Sequence, residues 1–174
     1  MKKIIIIIII VILSLTPKQQ ELIIPKEAIR FRVIANSDSE IDQETKILVR
    51  DIIQNKMVSD LKNVADINEA RNTIKSKIDD YETLVGQTLQ SNNKNNSYEV
   101  NYGLNYFPEK VYKGVKYEEG NYESVVVTLG NGMGNNWWCV LFPPLCLLEA
   151  EETEETTEVE YKFFISELID KYLK

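Results

Sequence analysis

The spacing of apolar residues changes several times along the chain, and each change predicts a new structural element. Alternation over 29–33, where Arg30 and Arg32 separate the apolar positions, predicts a strand with one buried face. A polar segment, Asn36–Ser39, ends this strand, and apolar residues return at helical spacing over 48–53. We expect Ser37 or Asp38 to cap this first helix, because short polar side chains accept hydrogen bonds from free N–H groups.

A second amphipathic helix is predicted after a reciprocal cap formed by Asp66 and Glu69. Its apolar stripe runs through Ile67, Ala70, Ile74, Ile78, Tyr81 and Val85 and ends near Gln90. The segment 91–97 contains only polar residues and is predicted to be a loop.

Period-two alternation returns after this loop. It predicts strands at 98–106, 111–117 and 122–129, with a turn at 119–121 before the third of them. The alternation of Val159, Tyr161, Phe163 and Ile165 predicts a last strand, and a short helix is expected over 167–173. This order predicts an α+β fold with an N-terminal strand, two helices, and a mainly antiparallel sheet of about four to five strands that carries the helices on one face.

The N-terminus combines two lysines, Lys2 and Lys3, with an unbroken apolar run over 4–13. This run is shorter than the roughly 20 apolar residues that a bilayer span needs, so it predicts an export signal. No A-x-A cleavage site follows it, and Pro17 stands next to the weak alternative Ser14-x-Thr16. Residues 1–17 are therefore a signal peptide or an N-terminal membrane anchor, 18–27 a linker, and 28–174 one domain.

The charge is concentrated in one place. The seven glutamates between Glu149 and Glu160 equal the whole net charge of −7, and no lysine or arginine lies among them. The rest of the chain is neutral overall and lacks the basic surface that a phosphate backbone requires, so we expect no nucleic-acid partner. Like charges repel in a packed setting, and the tract is predicted to be a solvated connector.

The chain contains no histidine. This excludes Ser-His-Asp and Cys-His catalysis, HExxH zinc sites and every imidazole general base. The two cysteines are too few for a four-ligand zinc site of their own, so we expect no metal and no cofactor.

The densest block of unusual residues is Gly130–Cys146, with the sequence GNGMGNNWWCVLFPPLC. Gly130, Gly132 and Gly134 predict a tight loop with positive φ angles. They do not form the G-x-G-x-x-G pattern that opens a helix in dinucleotide-binding proteins, so nucleotide binding is not expected. We also expect no small-molecule substrate. The adjacent tryptophans should point to opposite faces of an extended chain, one toward the core and one toward the surface.

Cys139 and Cys146 leave two alternatives. Export would permit oxidation to a disulfide that closes a small ring, and the proline pair Pro143-Pro144 would stiffen that ring. The other interpretation is two buried thiols. A catalytic cysteine is not expected, because no histidine is present to take its proton.

Several of these motifs together resemble the stage II sporulation protein R family. The resemblance rests on Ala35–Ser39, Asp42-Gln43, Val49–Asp51 and the block Gly130–Cys146, and it extends from about residue 29 to 165. It implies a protein exported from the forespore into the space between forespore and mother cell. There it would activate the mother-cell membrane-embedded aspartic protease, stage II sporulation protein GA, that matures the pro-sigma-E factor.

On that interpretation the chain is not an enzyme, and its N-terminal segment meets the export machinery and the membrane. Large aromatic residues favour interface anchors. The predicted partner-binding residues are Asn136, Trp137, Trp138, Phe142, Pro143, Pro144, Arg30, Arg32, Asn36, Asp38 and Asp42. The alternative is an exported cell-wall or carbohydrate-binding protein, or a hydrolase that uses paired carboxylates.

Overall fold

The computed structural model describes residues 22–146 and 157–173. The strands are β1 (Leu22–Ile23), β2 (Ile29–Ile34), β3 (Tyr98–Phe107), β4 (Lys110–Tyr112), β5 (Val115–Tyr117), β6 (Gly120–Leu129) and β7 (Asn136–Phe142). The helices are α1 (Glu40–Leu61), α2 (Ile67–Ser91) and α3 (Glu158–Leu173). The predicted leader, residues 1–17, and most of the acidic tract lie outside the described residues.

Four strands form the central sheet in the order β3-β6-β2-β7. β3 and β6 are antiparallel over ten residues each, β2 and β6 are parallel, and β2 and β7 are antiparallel. The register places Arg32 opposite both Val126 and Trp138. The α+β prediction is confirmed, although the strands divide into two mixed sheets instead of one.

The second sheet is small and has the order β1-β5-β4. Lys113 and Gly114 connect β4 to β5 with positive φ angles of 43° and 68°, which fits the two-residue turn of a tight hairpin. The segment 111–117, predicted as one strand, is therefore a hairpin. β1 runs parallel to β5, with Leu22 opposite Val115.

The first two helices cover one face of the central sheet. Their buried residues, including Val49, Ile53, Ile74 and Tyr81, share one core cluster with Phe31 and the other inward-facing strand residues. Asp66 caps α2 by accepting hydrogen bonds from the N–H groups of Asn68 and Glu69 at 2.7 and 3.0 Å. The predicted cap is confirmed, and Glu69 accepts from the Ala65 N–H at 2.8 Å.

The opposite face carries a second core cluster, and here one prediction is wrong. The residues around Tyr161 and Ile165 form helix α3, not a strand. Both side chains are buried, whereas Val159 and Phe163 are 74% and 66% exposed, so the buried side repeats at helical spacing. The helix begins with a capping box: Thr157 Oγ1 accepts from the Glu160 N–H, and the Glu160 carboxylate accepts from the Thr157 N–H.

Three smaller predictions need correction. The linker at 18–27 includes β1, and Ile24 is buried with Tyr117 in the second cluster. Ser39 caps α1 in place of Ser37 or Asp38, since its side chain accepts from the Asp42 N–H at 3.2 Å. In β3 the alternating apolar positions are not all buried: Leu104 and Tyr106 are 76% and 56% exposed, whereas Phe107, on the opposite face, is buried.

Candidate partner-binding site

Two loops meet at one end of the central sheet. The segment 35–42 comprises the turn after β2 and the first residues of α1. It contacts the glycine loop between β6 and β7, residues 130–135, and we call this contact the loop junction. The Asn36 side-chain oxygen accepts from the Asn131 N–H at 3.0 Å. The carbonyl oxygens of Asn36 and Ala35 accept from the N–H groups of Met133 and Gly134 at 3.1 and 2.9 Å. Two of the sequence motifs are therefore a single structural unit.

Asp42 fixes the conformation of this junction. Its carboxylate accepts hydrogen bonds from Ser37 Oγ at 2.5 Å, from Asn36 Nδ2 at 2.8 Å and from Asn96 Nδ2 at 3.4 Å. These bonds, chiefly that from Ser37, hold the pKa of Asp42 below its usual value. The Asp42 side chain is thus engaged within the protein.

The glycines of the loop are required by close contacts and by backbone angles. Gly130 and Gly132 have φ angles of 56° and 63°, which disfavour any side chain. A Cβ atom at Gly130 would also overlap the Asn36 side chain, and one at Gly134 would overlap the backbone of Ser37. These glycines hold the loop against the β2–α1 turn.

Two charged side chains, Asp38 and Lys46, contact the backbone of Asn135 and complete the junction. Asp38 accepts from the Asn135 N–H at 2.6 Å, and Lys46 donates to the Asn135 carbonyl oxygen at 3.2 Å. Burial lowers the pKa of Lys46. Both polar groups of the Asn135 backbone are satisfied, so β7 begins from a fixed position.

The two tryptophans of β7 face opposite sides of the sheet. Trp137 lies on the helix side, half-buried, with its ring 5.9 Å from that of Phe31 and the Arg50 guanidinium 5.2 Å from its centroid. Trp138 is 8% exposed and packs edge-on against Phe107 and Tyr117 in the second cluster. Only Trp137 has an accessible ring, so partner binding by Trp138 would require it to leave the core.

The two arginines of β2 lie on the same side of the sheet as Trp138. Arg30 is fully buried, with its guanidinium carbon 3.4 Å from the Tyr122 ring centroid and 4.9 Å from those of Phe107 and Trp138. Burial lowers the pKa of Arg30 to about 10, so the group stays cationic at neutral pH. Arg32 is half-buried and donates to the Tyr106 carbonyl oxygen at 2.7 Å. Arg30 is a packing residue and has no surface to offer a partner.

A disulfide joins Cys139, in the middle of β7, to Cys146, which follows the strand, and their Cα atoms are 5.4 Å apart. Phe142 is buried against Tyr172 of α3, at 5.1 Å between ring centroids, and Pro143 is buried beside it. Pro144 is half-buried and lines an apolar cavity of about 360 Å³. Phe142 and Pro144 therefore lie at or beyond the end of β7 that is opposite the loop junction.

A cavity of about 520 Å³ lies beside Trp137. We call it the Trp137 cleft. Its lining residues are Arg50, Asp51 and Gln54 of α1, Lys110 and Tyr112 of the β4–β5 hairpin, Trp137, and Cys146. Gln54 donates to the Cys146 carbonyl oxygen at 3.1 Å, and Arg50 pairs with Asp51 at 2.6 Å.

Most of these lining residues were not predicted as site residues. Arg50 and Asp51 belong to the motif Val49–Asp51, but that motif does not indicate that they line a cleft. Nothing in the local sequence marks Lys110 or Tyr112 as a site residue. Of the predicted residues, the structure brings Asn36, Asp38 and Asp42 together in the loop junction. It places Trp137 in the cleft and Asn136, exposed, between the two.

Two further observations limit what the described residues can do. Within 22–146 and 157–173, no group of cysteine and carboxylate side chains is placed to hold a metal ion. Among the helices of the same residues, none is both long enough and apolar enough to cross a bilayer.

These features define a class: a disulfide-bonded α+β domain with interlocked loops and a cleft beside Trp137. The sequence model for stage II sporulation protein R (spore_II_R) matches residues 25–152. Over 157 residues, the chain is 39% identical to stage II sporulation protein R of Bacillus subtilis (strain 168). The aligned residues make up 90% of this chain and 70% of that protein. No solved structure gave a significant match. The chain belongs to the stage II sporulation protein R family.

Proposed function

We propose that this chain is an exported signalling protein of endospore formation. It leaves the forespore and activates the membrane-embedded aspartic protease of the mother cell, stage II sporulation protein GA, which then processes pro-sigma-E. The chain itself acts by binding, and the catalytic aspartates belong to the protease. Its membership of the stage II sporulation protein R family is the observation that carries this proposal.

Three features of the sequence and the structure support this function. The Cys139–Cys146 disulfide suits a compartment outside the reducing cytoplasm, and Lys2, Lys3 and the apolar run after them suit export. The Trp137 cleft supplies a partly exposed aromatic ring beside Arg50, and tryptophan and arginine are both enriched at protein contacts.

The cell-wall alternative has less support. Trp137 and Trp138 face opposite sides of the sheet and Trp138 is buried, so the pair does not form one surface on which a sugar could stack. Signalling through a protein contact is therefore the function that we carry forward.

Two experiments in a spore-forming host test the proposal. Deleting the gene should stop pro-sigma-E maturation although the septum has formed. Removing residues 2–16 should have the same effect while leaving a folded product in the forespore. Normal maturation in the deletion strain would contradict the signalling role, and full activity of the leaderless form would contradict export.

A further inference from the structure

The outer edge of β7 has no strand partner among the described residues, since β7 is the last strand in the order β3-β6-β2-β7. The Cys146 Sγ atom lies 3.0 Å from the Val140 carbonyl oxygen. β2 occupies the inner side of β7, so this contact lies on the outer side. Backbone direction alternates along a strand, and the N–H and C=O groups of Trp138 and Asn136 therefore also face outward.

This edge is enclosed on two sides. Arg50, Asp51 and Gln54 of α1 stand on one side of the sheet, and Lys110 and Tyr112 of the hairpin stand on the other, yet all five line the same cleft. Because the central sheet separates α1 from the hairpin, a cavity lined by both must lie beyond the last strand, β7. The Trp137 cleft is thus a groove with the β7 edge as its floor, α1 as one wall and the hairpin as the other.

We propose that this groove binds an extended acidic segment of a protein partner, which adds to β7 as a further strand. Strand addition uses unpaired backbone groups for affinity and alternating side-chain contacts for specificity. The proposal depends on the proposed function only for the identity of the partner. The binding mode follows from the β7 edge and its two walls.

Charge sets the chemistry of the segment. The cleft contains two cations, Arg50 and Lys110, and one carboxylate, Asp51, which pairs with Arg50. The Lys110 ammonium lies 5.0 Å from the Trp138 ring centroid and 5.1 Å from that of Tyr112, and no ion pair joins it to a carboxylate in the described part of the chain. A carboxylate of the segment would complete this site.

Alternation sets the pattern of the segment. Successive side chains of an added strand point to opposite walls. On the α1 side they meet the half-buried Trp137 ring, which favours an apolar side chain, and on the hairpin side they meet Lys110, which favours a carboxylate. The preferred segment alternates apolar and acidic residues.

The test uses the full chain with its disulfide intact and fluorescent synthetic peptides of about eight residues, a usual strand length. One peptide alternates Val and Glu, the second alternates Val and Lys, and the third is the Val-Glu peptide with alternate amide nitrogens methylated. Fluorescence anisotropy should detect binding of the first alone. Hydrogen exchange should slow at the amides of Asn136 and Trp138 when that peptide binds. Equal binding of all three peptides, or no binding of the Val-Glu peptide, would overturn the proposal.

Two charge reversals locate the contact. Lys110→Glu should weaken binding of the Val-Glu peptide at least about fivefold, whereas Lys75→Glu, an exposed position on α2, should leave it unchanged. Equal effects of both would show attraction to net charge alone and would overturn the proposal, as would a dimer formed through β7 without peptide. The methylated peptide needs no change in the protein, so the test stands even if Lys110→Glu alters folding. Because the protease is absent from this assay, its outcome is independent of pro-sigma-E maturation.

Discussion

The side chain of Asn36 accepts a hydrogen bond from the Asn131 backbone N–H at 3.0 Å, and this bond joins two loops that are 95 residues apart in the sequence. The glycine loop before β7 is consequently held by the turn after β2. Since β7 carries Trp137, the loop junction fixes the first residues of the strand that forms the floor of the cleft.

Gly130→Ala should destabilise the domain by about 2 kcal/mol or more. An alanine would have to adopt a φ angle of 56°, and its Cβ would overlap the Asn36 side chain. Urea denaturation measures this loss. Gly103→Ala is the matched control, because its Cβ would meet Asn101 at an ordinary 3.6 Å. Equal stability of the two variants would contradict the described junction.

Asp42 should make stability depend on pH in the acid range. Its hydrogen bonds lower the pKa in the folded state, so the carboxylate contributes stability above its unfolded pKa, near 4, and this contribution is lost as the pH falls through the lower folded value. Asp42→Asn should reduce stability at pH 6 and flatten the decline toward pH 3, as measured by urea midpoints. Asp79→Asn, at an exposed position on α2, should leave the profile unchanged.

Arg30 should be replaceable by an apolar residue of similar length but not by a small one. Arg30→Ala leaves a cavity among Phe107, Tyr122 and Trp138 and should cost about 3 kcal/mol. Arg30→Met removes a buried charge that has no carboxylate partner, which offsets the lost cation–π contacts, and should stay within about 1 kcal/mol of the parent. Thermal unfolding distinguishes the two. A large loss in both variants would mean that the charge itself is needed.

The disulfide should contribute about 2.5 kcal/mol, the chain-entropy value for a ring of this size, whose cysteines are 7 positions apart. Replacing both cysteines by serine should lower the denaturation midpoint accordingly. The parent protein, isolated after export, should react with a thiol-alkylating reagent only after reduction. Rapid alkylation of the unreduced native protein would indicate free thiols.

Local periodicity predicted much of this fold. The stripe of α2 and the opposite directions of the adjacent tryptophans each follow from one repeat length, and the structure agrees with both. The alternation of β2 predicted one buried face, whereas the second core cluster covers the other face as well and buries Arg30. Periodicity was wrong at Tyr161, where residues two apart were interpreted as a strand. The capping box at Thr157 and Glu160 was the available signal for a helix.

The site was harder to predict because it depends on long-range contacts. The residues of the loop junction occur in two motifs, but nothing local to Asn36 indicates that it contacts Asn131. The hairpin forms a wall of the cleft only after the helices, the central sheet and the small sheet have packed together. No local pattern predicts that Lys110 lies there. Arg30 alternates with apolar residues, as a surface residue of a strand would. Its burial is explained only by the aromatic residues that surround it in the folded chain.

The proposed contact with the protease is tested most directly by comparing Trp137→Ala with Trp138→Ala in sporulating cells. Trp137→Ala should abolish pro-sigma-E maturation, with a loss of about 2 kcal/mol or more in partner binding, while the purified domain keeps cooperative unfolding. Trp138→Ala should instead destabilise the domain by about 3 kcal/mol or more, because its ring is packed in the second core cluster. Normal maturation in a folded Trp137→Ala variant would contradict the account.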